Sequence, residues 1–114
     1  MFKQVTEYLD ATVKSFESVP DAAFFQASHA GMEKLASICM FLMVVGEQIN
    51  KIDKLTHSKF LSQYTDIDWR RITAFRNIVA HDYVHIDSEI VFNICSNDIE
   101  PLQKIVNKIV NSLG

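Results

Sequence analysis

A chain of 114 residues is the size of one domain, and with 48% hydrophobic residues it can bury a core without disulfides or a structural metal. Its net charge of −3 excludes a generally basic nucleic-acid-binding surface, though not a local basic site. The glycines, Gly31, Gly46 and Gly114, are too scattered for a Walker loop or a dinucleotide fingerprint, which need closely spaced glycines so that backbone can approach phosphate.

Phe2, Val5, Leu9, Val13 and Phe16 recur at spacings of three and four, which predicts one face of an amphipathic helix. Charges flank the apolar residues from Met1 to Asp10, which speaks against a signal peptide, so a cytoplasmic protein is expected. Val19-Pro20-Asp21 ends the first helix, because proline disfavours helical geometry in the residue before it. Asp21 to Gln26 has room for a short helical turn. Ser28 is placed to cap a long helix running to about Ile52. Its most apolar stretch, Leu35 to Val45, is about half the length of a bilayer span, so a buried helix and no membrane anchor is expected. Between Ile38 and Val45 the helix is apolar all round and should be covered by neighbours or by a second subunit. Met32, Met40 and Met43 along it read as core or interface filler. Cys39 and Cys95 lie far apart in apolar sequence and read as buried free thiols in a reducing compartment.

Asp53 to Asp68 is more polar, with one short helix expected around Ser58 to Gln63. Asp66 or Asp68 can cap the next helix, which starts near Trp69. Asp87 caps the one after it, with Ile86 stapling onto Val91. Asn97 with Glu100 reads as a capping box for a last helix, whose apolar stripe is Ile99, Leu102, Val106, Ile109 and Leu113. With no strand-like alternation, repeat or linker, the expected fold is one all-α domain over residues 1–114, an up-and-down bundle of about five helices.

One segment departs from plain bundle sequence. On a helical wheel Trp69, Ile72, Phe75, Val79, Ala80 and Tyr83 share a face of the fourth helix, and Arg76 falls in its middle. A buried guanidinium there would cost several kcal/mol unless paired, on the order expected for an uncompensated charge. Two readings follow: a structural arginine bonded to Glu47 or to a helix C-terminus, or an arginine facing a cleft or subunit interface and ready for an anion. The run from Arg76 to Tyr83 then adds an amide (Asn77), an imidazole (His81), a carboxylate (Asp82) and a phenol. Histidine, with an unperturbed pKa of about 6.5, accepts and returns a proton near neutrality. Arginine grips phosphate through two parallel hydrogen bonds and stabilises developing charge. The pair suits RNA transesterification, in which a base takes the 2′-OH proton, the oxygen attacks phosphorus and the cation steadies the phosphorane. No metal and no cofactor is required. Residues five apart point about 140° from each other on an ideal helix, so the helix must end or bend near His81, or two subunits must share a cleft.

The run Trp-Arg-Arg-Ile-Thr-Ala-Phe-Arg-Asn-Ile-Val-Ala-His-Asp-Tyr from Trp69 onward resembles the HepT-like branch of the HEPN superfamily. That branch carries the pattern R-N-x-x-x-H-x-Y, met here by Arg76, Asn77, His81 and Tyr83. Gly46-Glu47, at the end of the central apolar stretch, is similar to a second recurring element of the family. The resemblance runs from about Leu35 to the C-terminus, while the first helix matches in amphipathic pattern alone. It implies a helical bundle that homodimerises with two motifs facing one cleft, and a metal-independent ribonuclease toxin. It also implies a minimal nucleotidyltransferase antitoxin that transfers AMP to the motif tyrosine. Carried over, Arg76 and His81 become catalytic, Asn77, Asp82 and Glu47 supporting, and Tyr83 the modification target. A non-catalytic substrate-binding or regulatory subunit of a nucleotidyltransferase is the rival reading.

Other residues have plainer alternatives. Arg70 and Arg71 could widen a basic rim for RNA or form the solvated side of the helix. His85, four residues after His81, has metal-ligand spacing only if both share a helix face, and a turn is expected between them. Asp82 would orient His81, although neighbours on a helix diverge. His29 and His57 read as surface or cap residues.

Overall fold

A computed structural model of the chain describes residues 2–81 and 85–113, with the side chains of 78–81 and 113 excepted. In chain order its helices are α1 (Phe2–Phe16), α2 (Phe24–Ala27), α3 (His29–Leu55), α4 (Trp69–His81), α5 (Ser88–Asn93) and α6 (Ile99–Leu113). A 3-10 turn, Leu61–Gln63, sits between α3 and α4, and no strand occurs among the described residues.

The helix boundaries follow from local hydrogen bonding. Ser28 has extended backbone and its hydroxyl accepts from the Gly31 amide at 3.1 Å, which starts α3; such a cap contributes about 1 kcal/mol. The Asp68 carboxylate accepts from the Arg71 amide at 3.4 Å ahead of α4, and Asp87 accepts from the Glu89 amide at 2.9 Å to start α5. The helical turn expected over Asp21 to Gln26 is displaced to Phe24–Ala27, because Asp21 caps the Phe24 amide at 3.0 Å. The capping box expected at Asn97 and Glu100 does not form. A π-helical turn, Ile94–Asp98, joins α5 to α6 with Ile99 still in right-handed helical geometry. Burial of Ile94, Cys95 and Ile99 holds the backbone helical where the local side chains would favour a break.

Of the helices, α3 positions the rest. At about 1.5 Å per residue its 27 residues span roughly 40 Å, matching the longest dimension of the molecule, 42 Å. It is long and apolar enough to cross a membrane by length and composition, beyond the half-span read from its apolar stretch. In the bundle it is packed by α1, α2 and α4, and Leu35, Ile38, Leu42, Val45, Ile49 and Ile52 are buried. Val5 and Leu9 of α1, Ile72 and Phe75 of α4, and Leu102, Val106 and Ile109 of α6 complete the core. The helix is apolar all round between Ile38 and Val45 but is not covered all round. Met32 and Met40 are 54% and 58% exposed.

Candidate active site

The geometry around Arg76 begins at Gly46. A Cβ built there would lie 3.2 Å from the backbone nitrogen of Arg76, 3.2 Å from the carbonyl oxygen of Ile72 and 3.5 Å from Cβ of Phe75. The missing side chain therefore lets α4 lie against α3 at the turn that carries Arg76, with Ile72 and Phe75 buried beneath.

That contact sets Arg76 on the flank of α4 and not in the middle of its buried face, which corrects the wheel reading. Its side chain is 48% exposed, and its Nε stands 3.8 Å from Oε1 of Glu47, itself 47% exposed. The distance is an ion-pair contact, too long for a hydrogen bond. An exposed pair of this kind contributes about 0–1 kcal/mol, so Glu47 does not lock the guanidinium away. No burial penalty arises, and the side chain stays open to an anion from solvent.

Asn77 is exposed beside it. His81 closes α4, five residues on, and its side chain lies outside the described residues, as do Asp82 and Tyr83 altogether. Arg70 is exposed. Arg71 points about 140° away from Arg76 around the helix. Its Nε donates to Oδ2 of Asp98 at 2.7 Å, tying α4 to the π-turn. Trp69 anchors the start of α4, its indole N–H donating to the Tyr64 carbonyl at 3.0 Å.

Cys39 and Cys95 are buried free thiols, and burial pushes each up to about 12. Neither is a nucleophile at neutral pH. No group of three or more His, Cys, Asp or Glu is arranged for a metal among the described residues, and the His81–His85 pair falls partly outside them. A cavity of about 440 Å³ between the ends of α1 and α6, lined by Phe16, Cys95, Ile99 and Gln103, does not reach Arg76.

The sequence reading passed over what lies beyond Glu47 on the same face of α3. Lys51 and Lys54 follow at steps of four and three and are exposed. Their spacing from Glu47 was the available signal.

An all-α bundle in which one long helix carries a second helix with an outward arginine and a terminal histidine has the architecture of a HEPN-type domain. The chain belongs to the ribonuclease HepT-like family, whose sequence model matches residues 2–109. The match takes in α1, which the sequence pattern alone had left outside the resemblance. No solved structure matches the chain.

Proposed function

We propose that this protein is a metal-independent endoribonuclease acting as the toxin of a two-gene module. The observation that carries the reading is the state of Arg76: half exposed, loosely approached by Glu47, and five residues ahead of His81 in a ribonuclease-family chain. In the proposed reaction the His81 imidazole removes the 2′-OH proton of the substrate. The freed oxygen attacks the adjacent phosphorus, Arg76 neutralises the phosphorane, and the 5′ oxygen leaves with the proton returned by His81. The products are a 2′,3′-cyclic phosphate and a 5′-hydroxyl. Asn77, Asp82 and Glu47 order the site.

The working unit in this reading is a homodimer. Met32 and Met40 give α3 an exposed apolar stripe that a second copy would cover, bringing two Arg76–His81 motifs to one cleft. Control rests on Tyr83, whose phenol oxygen attacks the α-phosphorus of a nucleoside triphosphate bound by a minimal nucleotidyltransferase. Pyrophosphate leaves and AMP stays on the tyrosine, adding a negative charge seven residues after Arg76 in the sequence.

The test is incubation of total tRNA with unmodified protein in EDTA, beside Arg76→Ala and His81→Ala. Cleavage by the parent alone, leaving 2′,3′-cyclic phosphate ends, supports the reading. Intact RNA with verified unmodified dimer overturns it in favour of a non-catalytic transferase subunit. Mass spectrometry after co-expression with a transferase tests Tyr83, which should gain AMP units that Tyr83→Phe does not.

A further inference from the structure

We propose that the exposed face of α3 beyond Glu47, carrying Lys51 and Lys54, is a binding track for the phosphodiester backbone of single-stranded RNA leading away from Arg76. The inference rests on the ribonuclease reading and names where that site holds its substrate.

Glu47, Lys51 and Lys54 lie on one stripe of α3, and all are exposed. At about 1.5 Å per residue, the two lysines stand roughly 6 and 10 Å along the helix from Glu47, which marks the position of Arg76. Those steps suit successive phosphates of an extended strand whose scissile group sits on Arg76. Lysine is a point charge on a flexible stem, so such contacts hold backbone without reading bases.

The charges on this face are free to act. Arg71 is held by Asp98 and Lys104 by Glu100, whereas Lys51 and Lys54 enter no ion pair among the described residues. Asp53, the acid between them in sequence, is half-buried on another side of the helix and accepts the Ser58 hydroxyl at 3.2 Å. In the opposite direction from Glu47 the same face turns apolar at Met40 and Met32, which offers a polyanion nothing. A strand leaving Arg76 along α3 therefore has one favourable direction.

A structural explanation covers part of the pattern. Lys54 sits in the last turn, where a cation is favoured by the helix dipole, but Lys51 lies a turn earlier and gains little from it. On that explanation alone, replacing the lysines would shift the melting temperature slightly and leave RNA affinity untouched.

The experiment measures binding of a 2′-O-methyl oligouridylate, which lacks the attacking hydroxyl, by fluorescence anisotropy across a salt series. The proteins are the parent, the double variant Lys51→Ala/Lys54→Ala, and the control Lys14→Ala/Lys108→Ala, exposed lysines of α1 and α6. The track predicts that the first pair loses about tenfold in affinity at low salt. Its log–log salt slope falls by about 1.4, at roughly 0.7 per phosphate contact on a single strand. The control keeps the parent's affinity and slope. Equal affinity in all three, equal losses in both double variants, or a parent that does not bind the oligomer each overturns the track. A parent that binds the oligomer through these lysines yet leaves tRNA intact keeps the track and overturns the catalytic reading.

Discussion

Gly46 of α3 and Arg76 of α4 meet backbone to backbone, a Cβ on the glycine standing 3.2 Å from the arginine's amide nitrogen. Alanine at Gly46 would gain about 1 kcal/mol of helix propensity and lose about 1–3 kcal/mol to overpacking, since the neighbours at 3.2 Å are main chain and cannot swing aside. Gly46→Ala is therefore expected to be destabilised by about 1 kcal/mol in urea titration. Displacement of Arg76 by a fraction of an ångström should lower kcat by tenfold or more, beyond what the stability loss explains. Full activity with an unchanged melt would show that α3 and α4 do not need this contact.

Glu47 offers a second test, because its two effects on RNA have opposite signs. Glu47→Gln removes a negative charge 3.8 Å from the Arg76 guanidinium, which on the proposed reaction should tighten RNA binding several-fold. It also removes the carboxylate proposed to order the site, which should lower kcat. Stability should change by less than about 1 kcal/mol, as for any half-exposed pair. Measured KM and kcat falling together support this arrangement. A stability loss of about 3 kcal/mol or more would instead mark a buried structural pair.

Met40 tests the proposed subunit interface. At 58% exposure it contributes little to the bundle of one copy, so Met40→Glu should leave the melting temperature of a dilute sample nearly unchanged. On the proposed homodimer, sedimentation should show the parent as a dimer and the variant as a monomer, with ribonuclease activity lost in proportion. A parent that sediments as a monomer while cleaving RNA would remove the shared cleft.

Alkaline pH should weaken the fold through its thiols. Burial raises both Cys39 and Cys95 to about 12 from the ordinary 9.0, so the folded chain holds two protons that the unfolded chain releases. Their contribution is full below about pH 9 and is lost as pH rises toward 12, at up to about 1.4 kcal/mol per pH unit for each thiol. Urea midpoints of the parent at pH 8 and pH 10.5 should fall more steeply than those of Cys39→Ala/Cys95→Ala, whatever the absolute stability of the variant. Parallel slopes would show that the thiols are not shielded.

Much of this structure was legible in the sequence because it is encoded locally. Ser28, Asp68 and Asp87 announce helix starts through side chains that reach amides two or three residues on, and the buried stripe of α6 follows a period of 3.6. The failures have a different physical origin. Asn97 and Glu100 carry the right groups for a cap, but burial on either side of them keeps the helix running through a π-turn. Arg76 looked central because a wheel weights all apolar positions equally, whereas α4 leans on α3 through Ile72 and Phe75. Arg71 and Asp98 are 27 residues apart, and no local rule connects them. At the candidate site the motif named its residues from the sequence, while the openness of Arg76 came from the fold.

The length of α3 has a mechanical consequence. Because this one rod runs from end to end of the molecule, the Ser28 cap, Gly46 and the lysines beyond Glu47 are mounted on a single stiff ruler. The ladder of local hydrogen bonds runs unbroken from His29 to Leu55, and its buried turns are packed against α1, α2 and α4. Amide hydrogens along its buried turns should exchange with one common opening energy, which would make the bundle one cooperative unit, without a hinge between the Met40 and Lys51 halves of the helix.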